Sequence, residues 1–305
     1  MFFLVFAGSP EVFGEPMVID PDFKVETIVS GLVGPTTMDF LGTDDILVLQ
    51  KNDGKVMRVL SGVLQANPVL DVSVANSGER GLLGIAIVQS PTSPFVYLYF
   101  TEASNDGGSP IANHVYKYTW NSSTGQLDSP EFILALPSPN RNHNGGVLAT
   151  GLDNEIFAII GDGNRNGILQ NFPNGAPDDT SVIIPVDPAG PYKAIGIRNS
   201  FGLTVDPVTG FLWDTENGPS TFDEINLISS NFNSGWETVM GPSSLDPDSP
   251  PDPLDIVGHG TYMYSEPEFS WLDTNAPTAI SFIDTIPFSD YKDFAFVGDN
   301  NAGQI

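Results

Sequence analysis

The chain has no cysteine, so disulfides, thiolate metal sites and a cysteine nucleophile are excluded. Basic residues are almost as scarce. Eleven Lys and Arg face 38 Asp and Glu over 305 residues, a formal charge of −27. That balance repels phosphates and anionic headgroups, so nucleic acid is not an expected partner, nor is an anionic membrane surface. Past the amino terminus no stretch stays apolar for the roughly 20 residues that a membrane span needs, so none is expected. Helix signals are nearly absent too. Thirty-one Gly and 26 Pro are incompatible with a helical bundle, whose helices exclude both.

What is present is a normal core composition, with 40% apolar and 10% aromatic residues. Charged residues reach only 16%, which describes an acidic surface on a folded body and not a disordered acidic tail. Met1–Gly14 reads as the remnant of a secretory leader, an apolar run followed by a small residue, which implies a secreted or extracytoplasmic protein. A buried amino-terminal strand is the alternative. Residues 15–305 read as one catalytic domain.

Short apolar strands recur between polar turns. Asp45–Gln50 and Lys55–Leu60 flank Asn52-Asp53-Gly54, a hairpin signal. Phe95–Phe100 pairs with His114–Tyr118, and Glu155–Asp162 ends in a Gly-Asp turn. Gly210–Glu216 pairs with Asp223–Ile228, and Asp293–Gly298 is the last strand. Starts near 45, 95, 155, 210, 262 and 293 give a loose period that predicts an all-β, six-bladed β-propeller. Its last blade is incomplete, because Gly303-Gln304-Ile305 opens a strand that the chain does not finish. Residues 170–192 and 240–258 read as long surface loops.

His143, one of three histidines, sits in Asn140-Arg141-Asn142-His143-Asn144-Gly145-Gly146, a loop setting suited to a general base or to a plain surface side chain. Asp162 ends the following strand and could orient that imidazole. Arg198, in Gly196–Leu203, is a scarce cation suited to an oxyanion or to a structural ion pair. Trp213–Pro219 with Asp223-Glu224 offers hard oxygens that suit calcium, or an ordinary acidic hairpin.

Five runs in order resemble the soluble quinoprotein aldose (glucose/sorbosone) dehydrogenases, six-bladed propellers that use pyrroloquinoline quinone (PQQ) and Ca2+. They are Gly78–Ala86 (GERGLLGIA), Asn142–Gly146, Gly161-Asp162, Gly196–Leu203 (GIRNSFGL), and Glu216–Pro219 with Asp223–Asn226 and Gly235-Trp236. The resemblance implies oxidation of the C1 hydroxyl of an aldose to the lactone, with hydride passing to PQQ. His143 would be the base and Asp162 its orienting carboxylate, also near the sugar. Arg198 would face the quinone oxygen and Asn199 the cofactor. Gln50 would face cofactor or sugar, and Asn301 the cofactor at a position where some members carry Lys. The carbonyls of Gly218 and Pro219 would bind the Ca2+ on PQQ, Glu224 a second, structural Ca2+, and Trp271 would wall the sugar site. The electron acceptor is not implied, and an incomplete propeller with two unpaired edges could dimerise. A non-catalytic propeller binding glycan or protein, or a Ca2+-dependent lactonase-type hydrolase, are the alternatives.

Overall fold

A computed structural model of the chain describes residues 21, 23–247, 249, 260–283, 286–292, 294–301, 303 and 305. The leader remnant at 1–14 lies outside them, as does much of the loop expected at 240–258. Helical geometry among the described residues is limited to short 3-10 segments such as Ile168–Gln170. None of the described helices is long and apolar enough to cross a membrane.

The first sheet grows from the expected hairpin. β1 (Pro35–Gly42), β2 (Asp45–Gln50), β3 (Lys55–Leu60) and β4 (Val63–Leu64) are antiparallel in sequence order, and β5 (Leu70–Asp71) pairs with the start of β3. Gly54 closes the turn at φ 65°, and a Cβ there would stand 1.7 Å from the Val72 carbonyl oxygen, so only glycine fits. The second sheet is β6 (Leu82–Val88), β7 (Phe95–Ala103), β8 (Pro110–Asn121) and β9 (Gln126–Leu136), with Phe95 opposite Thr119 and Phe100 opposite His114.

The third sheet holds β10 (Leu148–Thr150), β11 (Ile156–Ile160), β12 (Val182–Asp187) and β13 (Ala194–Ile195). β12 corrects the expectation of a surface loop throughout 170–192. Val182, Ile183 and Val186 are buried in the core, and Pro185 is accommodated beside a register shift between Ile156 and Phe157. The fourth sheet begins with β14 (Ser200–Val205), β15 (Leu212–Glu216) and β16 (Asp223–Ile228), with Leu212 opposite Ile228 and Glu216 opposite Glu224.

Two later segments, β17 (Phe232–Asn233) and β18 (Met263–Tyr264), run parallel beside β13 and extend the third sheet. β19 (Phe269–Trp271) then completes the fourth sheet against β16. The fifth sheet is β20 (Pro277–Phe282) with β21 (Ala295–Asp299). The blade expected to start near 262 is therefore not one: its residues are shared between the third and fourth sheets. The segment near 293 is the second strand of the fifth sheet, which opens at Pro277.

The five inner strands β1, β6, β10, β14 and β20 stand side by side around a cavity of about 930 Å3. The second and third sheets bury both faces against their neighbours, and the second face of the first sheet packs on Val29 and Leu32. On β7, Val96, Leu98 and Phe100 pack toward Leu47, Leu49 and Val56 of the first sheet. The alternate residues Tyr97 and Tyr99 pack toward Ile156, Ala158 and Ile160 of the third. Phe157, Ile159 and Ile183 meet Leu203, Leu212 and Ile228 across the next interface. A period of two with apolar side chains on both faces gives the near-continuous apolar strands of this sequence. Each fully buried Leu, Ile or Phe contributes about 1.5–3 kcal/mol.

Candidate active site

In each antiparallel blade the second strand ends where the inner strand begins. Residues that end or follow β11 and β15 and those that precede β6, β10 and β14 are thus gathered at one end of the cavity. Glu79, His143, Asp162, Arg198, Asn199 and Glu216–Gly218 all fall in this set.

The His143 loop is fixed from below. The buried Tyr99 hydroxyl donates to the Asn144 carbonyl at 2.9 Å, and Asn144 Oδ1 accepts from Ser138 Oγ (2.9 Å) and Asn113 Nδ2 (3.1 Å). His143 itself has φ 60°, a left-handed conformation that non-glycine residues seldom adopt. Its backbone N–H is held there by the Glu79 carboxylate. His143 Nδ1 lies 2.6 Å from Asp162 Oδ1. Asp162, 4% exposed, also accepts the Asn164 N–H on Oδ1 (2.8 Å) and the Trp236 Nε1–H on Oδ2 (2.7 Å). Asp162 is therefore fixed by contacts on both of its oxygens.

Arg198 enters through backbone contacts with both neighbouring blades. Its carbonyl accepts the Asp162 N–H at 2.9 Å and its N–H donates to Glu216 Oε2 at 2.8 Å. Its guanidinium donates to the Asn217 carbonyl at 2.6 Å and lies over the Trp236 ring, 5.0 Å from the centroid. Burial pulls the Arg198 pKa down, opposed by the charges of Asp162, Glu216, Glu79 and Asp223. Arg198 Nε and Asn199 Oδ1 are buried without a hydrogen-bond partner. Asn199 Nδ2 is 3.4 Å from Glu79 Oε1.

Under this layer lies a second group of acids. Asp214, Glu216 and Glu224 are buried on facing strands, and Asn226 Nδ2 reaches Glu216 and Glu224 at 3.2 Å each. Burial first, then the Glu216 charge, pushes the Glu224 pKa up to about 8. Burial and the nearby charges of Glu224 and Asp214, respectively, raise Asp214 and Glu216 strongly. The Glu224 oxygens are taken up by Gly241 N–H, Asn226 and Ser234. Among the described residues no group of three or more His, Asp or Glu is arranged to hold a metal.

The other expected residues make their hydrogen bonds elsewhere. Gln50 is buried, but its amide is committed to the Val33 N–H (2.7 Å) and to Asp53 (3.1 Å). Gly218 is pinned by its N–H on Asp223 Oδ1 at 2.9 Å, and Pro219 is exposed beside it. Asn301 Nδ2 donates to the Thr274 carbonyl at 2.8 Å. Trp271 sits on the outer strand of the fourth sheet, edge-on to Phe269 at 4.8 Å, and lines a smaller cavity with Asn275, Pro277 and Asp299. So His143, Asp162, Arg198 and Asn199 form one cluster, and Gln50, Asn301 and Trp271 share no hydrogen bond with it among the described residues.

Two residues of this cluster carry no expected role in the sequence. Glu79 braces both His143 and Asn199, and Trp236 bridges Asp162 and Arg198. The signal for Glu79 was available: a Glu-Arg pair between glycines, in a chain with 11 basic residues. Arg80 serves the same loop, donating to Ser138 Oγ and its carbonyl at 2.8 Å each.

Fold and site together define a β-propeller that carries a carboxylate-held imidazole and a buried guanidinium at one end of its central cavity. The chain belongs to the glucose/sorbosone dehydrogenase family, whose model matches residues 32–182 and 187–305. It is 30% identical over 257 residues to quinoprotein glucose dehydrogenase B of Acinetobacter calcoaceticus, covering 72% of this chain and 53% of that protein. The chain thus spans about half the length of that relative. Aldose sugar dehydrogenase YliI of Escherichia coli is 23% identical over 314 residues, covering 97% of this chain and 82% of that one. The PQQ-bound aldose sugar dehydrogenase of Streptomyces coelicolor superposes with a TM-score of 0.69 at 26% identity, over 90% of this chain and 77% of that one.

Proposed function

We propose that the chain is a PQQ- and Ca2+-dependent aldose dehydrogenase that oxidises the C1 hydroxyl of a sugar to the lactone. The observation that carries this reading is the 2.6 Å contact between His143 Nδ1 and Asp162, with Arg198 beside it. Names of the relatives, a quinoprotein glucose dehydrogenase and an aldose sugar dehydrogenase, support the substrate class and the cofactor.

With Nδ1–H donating its hydrogen bond to Asp162, Nε2 of His143 is the nitrogen that would serve as base for the sugar hydroxyl. As that proton arrives, the carboxylate stabilises the imidazolium. The cluster fits PQQ at its reacting end, since Arg198 Nε and Asn199 Oδ1 are buried polar atoms left without protein partners. PQQ, when bound, supplies the two-electron oxidant, and Ca2+ on the Gly218 and Pro219 carbonyls would polarise it. Arg198 is the side chain that would meet the oxygen where negative charge develops. Residues 294–301 contain no Lys or Arg, so a cofactor carboxylate beside this segment would meet no cation from it. The His143–Asp162 pair favours an enzyme over a non-catalytic propeller, which has no use for a held imidazole.

The test is the absorption spectrum of the protein loaded with PQQ and Ca2+, before and after glucose is added. A bound quinone spectrum that converts to the reduced form supports the proposal. No bound PQQ at saturating Ca2+ overturns it.

A further inference from the structure

The geometry points to Trp236 as a positioning residue that keeps Arg198 and Asp162 apart while fixing the second oxygen of Asp162. This inference rests on the base role proposed for His143. The Trp236 backbone is anchored without help from its ring: its N–H donates to the Gly196 carbonyl at 3.2 Å and its carbonyl accepts Asn171 Nδ2 at 2.7 Å. From that fixed point the indole Nε1–H donates to Asp162 Oδ2 at 2.7 Å. Its face carries the Arg198 guanidinium, 5.0 Å from the ring centroid.

Arg198 and Asp162 are backbone neighbours, joined by the 2.9 Å bond from Asp162 N–H to the Arg198 carbonyl. A buried guanidinium and carboxylate this close would ordinarily pair, because attraction between opposite charges grows as water is excluded. Among the described residues Arg198 forms no ion pair, and its guanidinium donates instead to the Asn217 carbonyl. The indole occupies the gap. A direct pair would draw Asp162 away from His143 and Arg198 away from the ligand it is to face. The indole N–H is a neutral donor, so it orients the carboxylate and leaves its charge available to the imidazolium. A cation on the ring face polarises the indole and strengthens that donor.

Two substitutions separate the two roles. Trp236→Phe keeps a ring between the charges and removes the N–H. Asp162 then has one donor fewer, and more of its charge acts on His143. Trp236→Leu removes the separator and lets Arg198 close on Asp162, which cancels that charge. Among the described residues the charged groups nearest His143 are Asp162 after β11, Glu79 before β6 with Lys51 beside it, Arg198 before β14 and the exposed Arg141 of its own loop; Arg165, next to Asp162, is held by Asp178 at 2.6 Å. The two variants must therefore move the His143 pKa in opposite directions, which a merely structural tryptophan would not do.

The readout is the titration of 13C-labelled histidine in the full chain by NMR, which carries three signals (His114, His143 and His259), with His143→Ala as the assignment control. The expected result is a rise of about half a pH unit in Trp236→Phe and a fall of at least about that in Trp236→Leu. In the loaded enzyme, kcat should fall more in the Leu variant than in the Phe variant, with sugar KM within about threefold of the parent in both. Shifts in the same direction, or no shift, overturn the inference. If the Leu variant does not fold, the Phe variant decides alone: an unmoved His143 pKa in a folded Phe variant overturns it. The titration needs neither PQQ nor sugar. A parent that fails to oxidise sugar therefore removes the proposed function, while opposite shifts would still establish the separator.

Discussion

The carboxylate of Glu79 accepts the backbone N–H of His143 across 64 residues of chain, and so holds the loop of the proposed base from a neighbouring blade. The same side chain reaches Asn199 Nδ2 at 3.4 Å, so one carboxylate braces two site loops. Replacing it with Ala leaves a half-buried N–H without a partner at a residue already in a left-handed conformation. The loss should be about 1–3 kcal/mol of stability. Activity should suffer more, with kcat down about tenfold to a hundredfold as the imidazole drifts from its working position. Melting curves and sugar kinetics on Glu79→Ala and Glu79→Gln check this, with Gln retaining one acceptor and part of the activity. Parent-like kcat in the Ala variant would remove the bracing role.

Asp162→Asn tests the orienting carboxylate in the proposed reaction. The amide cannot serve both His143 Nδ1–H and Trp236 Nε1–H as an ionised carboxylate does, and it favours the wrong imidazole tautomer. kcat should fall by about 10²–10⁴, with a much smaller change in sugar KM. A variant that keeps its melting temperature and its kcat would show that His143 needs no carboxylate, and would sink the mechanism.

How much of this is legible in the sequence depends on sequence distance. The hairpins at 45–60 and 210–228 could be read because both strands and the turn residues are contiguous. β12 was hidden, since Pro185 and the Gly, Pro and Asp residues around it dominate the local signal. The parallel additions β17 and β18 were invisible for another reason: each is two residues long, and its partner lies some 30 or more residues away. That is also why a blade start was misplaced near 262. In the site, the residue types of His143, Asp162 and Arg198 single them out, and the fold brings the three together. Glu79 and Trp236 act across blades, and nothing in their immediate neighbours specifies which loop they will reach.

Gly161 stands where two of those loops meet. A Cβ there would lie 2.4 Å from the Arg198 carbonyl oxygen and 2.9 Å from that of His143, both of them backbone. Neither can swing aside as a side chain could, so Gly161→Ala must push the His143 and Arg198 loops apart. Overpacking of this kind costs about 1–3 kcal/mol. Because the displaced atoms belong to the proposed base His143 and to Arg198, turnover should fall by at least about a hundredfold in a protein that still folds. Circular dichroism melts beside acceptor-reduction rates distinguish this from general destabilisation. A variant with a lowered melting temperature and undiminished kcat at 25 °C would show that the close approach serves only packing.

Asp39 gives a pH signature away from the site. It lines the central cavity on β1 and accepts the Ile87 N–H of the neighbouring inner strand at 2.7 Å and the Phe40 N–H at 2.7 Å. Burial raises its pKa from 3.8 to about 6, only partly offset by those two N–H groups. The folded state therefore prefers the protonated acid more than the unfolded chain does. The stability this preference supplies is fully present below pH 3.8 and is lost as pH rises through about 6. Asn resembles the neutral acid and does not titrate. Relative to the parent, Asp39→Asn should thus gain stability steadily between about pH 4 and pH 6 and level off above. Asp214, Glu216 and Glu224 titrate in both proteins, so their effect cancels in the difference between the two melting temperatures. A difference that stays flat from pH 4 to pH 8 would mean that Asp39 is solvated through the cavity and carries no such penalty.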